Sequence, residues 1–156
     1  MSIEKTWGHP LRPGVGAEHD LRTQVGALPW RIVGGRLELL LITGRRSGKW
    51  GVPRGWLADD PTPADAAARE AWEEGGVTGR ISPHCLGLYT RVLTSGRSRL
   101  PCVVALFPLE VLRLEARWPE HGARNRRWAT QEEAETLVEN CELLRLLLAF
   151  DPSALP

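Results

Sequence analysis

Three glutamates, Glu70, Glu73 and Glu74, stand between Arg69 and the pair Gly75-Gly76. The stretch from Pro63 to Glu74 is expected to be a helix, with Thr62 as N-cap, Pro63 at the first helical position and the two glycines as its stop. At 100° per residue Ala64, Ala68, Ala71 and Trp72 fall on one side and the three glutamates on the other. Such a cluster works against the helix. Glu70 repels residues at i+3 and i+4, at roughly 0.2–0.5 kcal/mol per exposed pair. Carboxylates in a last turn also oppose the helix dipole, at about 0.3–1 kcal/mol, and Arg69 offsets only part of this through Glu73 at i+4. Unfavourable local choices of this kind mark functional sites. A divalent cation supplies the missing compensation, and hard Mg²⁺ combines carboxylate oxygens with substrate phosphates. The chemistry to expect is therefore that of a metal-bound phosphate group.

Charge for the substrate side is present nearby. Arg45, Arg46, Lys49 and Arg54 lie in the loop and strand that lead into Gly55, where a phosphate chain would approach the carboxylates. Arg97 and Arg99 flank Ser98 in an expected hairpin loop, and Arg124, Arg126 and Arg127 precede Trp128. On a strand Arg124 and Arg126 point together and Arg127 turns away. Glu120, in a loop with Pro and Gly, is a candidate later carboxylate. His121 reads as a loop histidine, since no second His has metal spacing. Of seven tryptophans, Trp30, Trp50 and Trp128 read as core or sheet residues, and Trp56 belongs to the presumed site loop.

These residues need elements to hold them. Val25–Arg31 and Leu37–Thr43 read as a hairpin around Gly34-Gly35. Trp50–Pro53 follows as a short strand, with further strands at about Ile81–Val92, Pro101–Val111 and Arg126–Ala129. Thr130 with Glu133 forms a capping box, and Asn140 caps an amphipathic segment ending at Phe150. Strands interleaved with one central helix and closed by a C-terminal helix predict an α/β sandwich with a mixed sheet covered on both faces. Residues 1–21 mix Gly, Pro, His and charge without an apolar period and are expected to be a flexible arm, with residues 22–156 as a single domain.

The chain has 156 residues and a formal charge of +1. That balance gives no basic field for nucleic acid or an anionic membrane. The runs Leu37–Ile42 and Leu143–Phe150 are too short to span a bilayer. Three cysteines without metal spacing suit a reducing compartment, each as buried filler, so a cytoplasmic location is expected. The oligomeric state is not written in the sequence, and a homodimer is admissible.

Gly55 followed by Arg69-Glu70-Ala71-Trp72-Glu73-Glu74-Gly75-Gly76-Val77 resembles the Nudix box, and the resemblance extends over about residues 22–150. The phrase Trp50-Gly51-Val52-Pro53-Arg54-Gly55-Trp56 and the run Arg126-Arg127-Trp128 are most similar to the diphosphoinositol polyphosphate and diadenosine polyphosphate hydrolase branch. The resemblance implies a Nudix-type α/β/α sandwich. It also implies metal binding by Glu70, Glu74 and the backbone carbonyl of Gly55, with Glu73 as base and Arg69 as orienter, and Mg²⁺, with Mn²⁺ the alternative ion, as cofactor. The implied substrate is small and phosphorylated, a dinucleoside polyphosphate or diphosphoinositol polyphosphate first, rather than a nucleic acid. One position departs: the box has a supporting Glu where this chain has Pro61, which bears on loop geometry and rate. The competing reading is a Nudix-like module that senses a nucleotide without cleaving it.

Overall fold

Gly34 and Gly35 adopt φ of 57° and 75°, the left-handed pair that a two-residue hairpin turn requires. They join β1 (Arg22–Val33) to β2 (Arg36–Thr43), with Val33 opposite Arg36. The computed structural model describes residues 22–156, so the expected N-terminal arm lies outside the described residues. Next come β3 (Trp50–Gly51), β4 (Arg54–Trp56), helix α1 (Pro63–Gly75) and β5 (Val77–Ile81). The chain continues through β6 (Gly87–Ser95), β7 (Ser98–Leu114), β8 (Arg126–Ala129), α2 (Gln131–Leu137), α3 (Cys141–Ala149) and a 3₁₀ turn, Pro152–Ala154.

The strands form one mixed sheet along the path β3-β2-β1-β7-β5. Among the described strands only β1 and β7 run parallel, from Arg22 opposite Cys102 to Trp30 opposite Glu110. Long strands change neighbours along their length. β1 pairs with β4 through residues 24–26 and with β2 through residues 30–33. β7 pairs with β6 over its first half and with β5 over its second. That division explains why the expected strand Ile81–Val92 is two strands: the chain must cross from one half of β7 to the other, and Pro83, which lacks an N–H, sits in the crossing.

Side-chain alternation sorts the core into two layers. Leu39, Leu41, Val104 and Leu106 pack toward Ala134, Leu143 and Leu147 of α2 and α3. Leu40, Ala105, Phe107 and Leu109 pack toward Ala64, Ala67 and Ala71 of α1. Helices therefore cover both faces, as the expected α/β/α sandwich requires. The capping box forms, with Thr130 accepting from the Glu133 N–H and Glu133 accepting from the Thr130 N–H, and Asn140 caps α3.

Two expectations are corrected. Cys102 is buried, but Cys85 and Cys141 are exposed, because each lies in or beside a loop at the rim of the sandwich. On α1 the buried residues are Ala64, Ala66, Ala67, Glu70, Ala71, Glu74 and Gly75, with Ala68 and Trp72 only partly covered. The buried arc is turned toward β4, so Glu70 and Glu74 flank the alanine stripe instead of opposing it.

Candidate active site

Both ends of α1 are fixed firmly. Thr62 accepts from the Asp65 N–H with Pro63 next in line, and Gly76 closes the helix at φ 65° while its N–H reaches Ala71 and Trp72 carbonyls. A cation stands at the closing end. Arg126 donates to the Gly75 carbonyl at 2.8 Å and to the Glu115 carbonyl at 2.6 Å, and its guanidinium lies 3.8 Å from the Trp118 ring centroid. Trp118 donates from its indole nitrogen to the Glu74 carbonyl at 3.1 Å. Positive charge at a helix C-terminus offsets part of the dipole cost that the glutamates incur.

The carboxylates differ in environment. Glu70 and Glu74 are 8% and 6% exposed, whereas the Glu73 side chain is 40% exposed. Burial raises the Glu70 carboxyl above its ordinary range, against the pull of Arg69. Burial also pushes Glu74 up to about 7, outweighing Arg124. Glu74 accepts from the Arg54 backbone N–H at 3.1 Å and from Arg124 at 3.0 Å. Arg124 is also bonded to Glu120 at 3.2 Å and to the Thr43 carbonyl at 3.1 Å. Glu70 lies against Gly55 so closely that a Cβ there would stand 2.2 Å from the carboxyl carbon. The glycine makes room for the carboxylate.

Arg69 ties the site loop to the helix. Its Nε donates to both Asp60 oxygens at 3.0 and 3.2 Å, one terminal nitrogen reaches Asp60 and the Trp56 carbonyl at 3.0 Å each, and the other reaches Glu70 at 2.9 Å. The Asp60 bonds come first among the causes that raise the Arg69 pKa. Contact with Glu73 is long, at 3.5 Å. Asp60 immediately precedes Pro61, the residue that replaces the box glutamate, and it gives the box arginine a two-toothed carboxylate partner. Sequence reasoning missed it, although an acidic residue one position from the expected Glu was the available signal.

A cleft of about 470 Å³ opens over these groups, lined by Gly55, Glu70, Glu74, Arg45, Arg54 and Arg124 among others. A second cavity of about 550 Å³ adjoins it and includes Lys49 and Arg99. Arg46 and Arg97 are exposed and line neither. Arg45 stands 3.6 Å from Glu120, whose N–H donates to the Glu73 carbonyl at 3.0 Å, so the loop carrying Glu120 docks at the acidic end of α1. His121 stacks edge-on against Trp118. Arg91 and Gln24, not singled out from the sequence, also line the cleft; no local pattern marks them, because β6 and β1 bring them in from distant segments.

Among the described residues no three His, Cys, Asp or Glu side chains are gathered into a ready-made metal cage. The donor set still fits a hard cation. Mg²⁺ keeps several waters and binds through one or two carboxylates together with substrate phosphates. Two buried carboxylates beside the backbone of Gly55 on β4, both raised by burial, meet that description.

A NUDIX domain model matches residues 21–147, and the chain belongs to the NUDIX family. "Nudix hydrolase 21, chloroplastic" of Arabidopsis thaliana is 35% identical over 133 residues, covering 83% of this chain and 66% of its own length. "Nudix hydrolase 16, mitochondrial" of the same plant is 35% identical over 138 residues, covering 80% and 74%. The chain thus spans about two thirds to three quarters of these two relatives. Among solved structures, a C. elegans Ap4A hydrolase binary complex superposes with a TM-score of 0.60 at 23% identity, covering 80% of this chain and 91% of that one. The NUDIX domain of Shewanella oneidensis NrtR, solved with ADP ribose, gives 0.60 at 15% identity, covering 94% and 96%. At such identities these structures establish the fold. Among the described residues no helix is long and apolar enough to cross a membrane.

Proposed function

We propose that the chain is a divalent-metal-dependent pyrophosphohydrolase that cleaves a phosphoanhydride bond in a nucleoside-diphosphate-linked or polyphosphate substrate. A dinucleoside polyphosphate or diphosphoinositol polyphosphate is the first class to test. The observation that carries this reading is the burial of Glu70 and Glu74 in a cleft that Arg45 and Arg54 also line.

Glu70 and Glu74, with the Gly55 backbone carbonyl, would hold Mg²⁺, with Mn²⁺ as the alternative ion. Bound there, the metal supplies charge neutralisation at phosphate and a more acidic water. Every remaining role belongs to the chain. Glu73 is the most exposed of the three glutamates and only weakly engaged by Arg69, which suits a base that must reach solvent water and accept its proton at a carboxylate oxygen. Arg69 holds Glu70 and the Trp56 carbonyl in one frame, with Asp60 fixing the plane of its guanidinium. Arg124 is an anchor for Glu74 as well as a wall of the cleft. Arg45 and Arg54 are placed for phosphate oxygens in the first cavity, and Lys49 and Arg99 in the second. A non-cleaving sensor is the weaker reading, because all three box glutamates are present and Asp60 supplies a carboxylate beside the Pro61 departure. A cytoplasmic site of action belongs to the same proposal and is supported by the free thiols of Cys85, Cys102 and Cys141.

The test is a hydrolysis panel with Mg²⁺ or Mn²⁺ over dinucleoside polyphosphates, nucleotide sugars, ADP-ribose, oxidised nucleoside triphosphates and inositol pyrophosphates, with products identified. At least one is expected to be cleaved, and Glu73→Gln to lower turnover about 100-fold to 10,000-fold without loss of fold. A panel with no metal-dependent product, or Glu73→Gln within about threefold of the parent, would remove the hydrolase reading or the base assignment respectively.

A further inference from the structure

Most arginines around the cleft are paired: Arg69 with Asp60 and Glu70, Arg124 with Glu74 and Glu120, Arg45 with Glu120. Arg54 and Arg91 are different. Among the described residues neither comes within ion-pair distance of a carboxylate side chain; the Arg54 guanidinium bonds the Val52 carbonyl at 3.2 Å, and Arg91 bonds the Gln24 side-chain oxygen at 3.0 Å. The Arg54 Nε is buried with no partner among the described residues.

These two cations are also close enough to oppose one another. Arg91 is held down at about 10, first by burial and then by the charge of Arg54. Two partly desolvated, mutually repelling guanidiniums with neutral partners form an arrangement that an anion completes. Their place in the fold says where that anion belongs. Arg54 precedes Gly55 on β4, while Arg91 comes from β6, and both line the cleft that holds the glutamates and the second cavity next to it. Among the described residues they alone are common to the linings of these two cavities, and so mark the passage between them.

We propose that Arg54 and Arg91, with Gln24 orienting the latter, form a phosphate-binding site between the two cavities, which holds a phosphate of the substrate chain next to the one attacked. The proposal rests on the hydrolase reading for its substrate and adds Arg91 and Gln24 to the residues that select it. A planar guanidinium presents parallel N–H donors to phosphate oxygens, and two of them match the charge of an internal or terminal phosphate. A chain that crosses this pair continues toward Lys49 and Arg99, with Trp50, Val92 and Leu143 as the apolar wall. The geometry thus favours three or more linked phosphates over a diphosphate.

The test is calorimetric titration of the full chain with inorganic tripolyphosphate in EDTA, where no hydrolysis intervenes. The parent should bind it. Arg91→Gln should weaken binding about 10- to 100-fold, the range expected for lost contacts to a charged group, while Arg91→Lys should restore part of the loss. Glu70→Gln/Glu74→Gln should bind at least as well as the parent, since repulsion near the site is removed. Arg91→Gln should melt no lower than the parent in anion-free buffer, because it relieves the repulsion with Arg54. Tripolyphosphate binding by Arg91→Gln equal to that of the parent would overturn the site, as would equal weakening for citrate and tripolyphosphate, which would make it a generic anion patch. The two readings separate cleanly. A chain that binds tripolyphosphate through Arg91 but cleaves nothing keeps this site and loses the hydrolase proposal; one that hydrolyses with Arg91→Gln unimpaired does the reverse.

Discussion

Gly55→Ala is the most discriminating single change. An added Cβ would stand 2.2 Å from the carboxyl carbon and Oε1 of Glu70 and 2.5 Å from Oε2, where van der Waals contact needs about 3.5 Å. The carboxylate must therefore retreat by about 1 Å or more. Retreat is tolerable for the fold, because the group is the far end of a flexible side chain, held by Arg69 alone among charged partners, and Gly55 does not have a positive φ. Replacing glycine where the backbone tolerates alanine typically changes stability by under about 1 kcal/mol, often favourably. It is not easy for catalysis, where a 1 Å misplacement costs about 100-fold. Gly55→Ala should melt within a few degrees of the parent in EDTA, as about 1 kcal/mol implies for a domain of this size, lose most of the Mg²⁺-induced rise in melting temperature, and turn over about 100-fold more slowly. A variant with unchanged metal response and rate would refute the position assigned to Glu70; a variant that fails to fold would show that the space is structural.

Two further outcomes follow from the same geometry. Glu74 ionises in the unfolded chain near 4.5 but in the fold only at about 7, so between those values the native state keeps a proton that the unfolded state has lost. The metal-free protein should accordingly lose up to about 3 kcal/mol as pH rises through that window; denaturant titrations at pH 5 and 8 should show the loss in the parent and its reduction in Glu74→Gln, and equal slopes for the two proteins would refute the assignment. Asp60→Ala removes the two-toothed partner of Arg69, and steady-state kinetics should show kcat lowered about 10- to 100-fold, as for other residues that orient a metal site, with the Mg²⁺ thermal shift retained; a parental kcat would make the Asp60 contact incidental.

The box, its helix and the caps were legible because each is a local pattern: Thr62 with Pro63, Gly76 after the last turn, Thr130 with Glu133. The hairpin at Gly34-Gly35 was legible for the same reason. What sequence could not give was direction. A period of 3.6 places residues on a cylinder but does not say which arc meets the sheet, so Trp72 was set on the packed side and Glu70 and Glu74 on the open one, the reverse of their burial. The partners of the glutamates were equally out of reach: Arg124 meets Glu74 across 50 positions of chain, and Arg91 arrives on a strand whose register is fixed by β7. Asp60 lay within reach of a looser pattern, one that asked which nearby carboxylate could face Arg69 instead of which residue occupied one position.

The parallel pairing of β1 with β7 bears on how the molecule is made. During synthesis the whole box, through Val77, emerges before the first residue of β7, and Arg124 later still. A nascent chain therefore carries the glutamates proposed to act with only their local partners Arg69 and Asp60, and with no sheet to hold them until β7 closes against β1. Distant strand pairing of this kind is slow. Agents that bind the early glutamates, divalent cations among them, meet the chain first as a flexible ligand and only later as a site, so the metal concentration during refolding should govern the rate of recovery as well as the final yield.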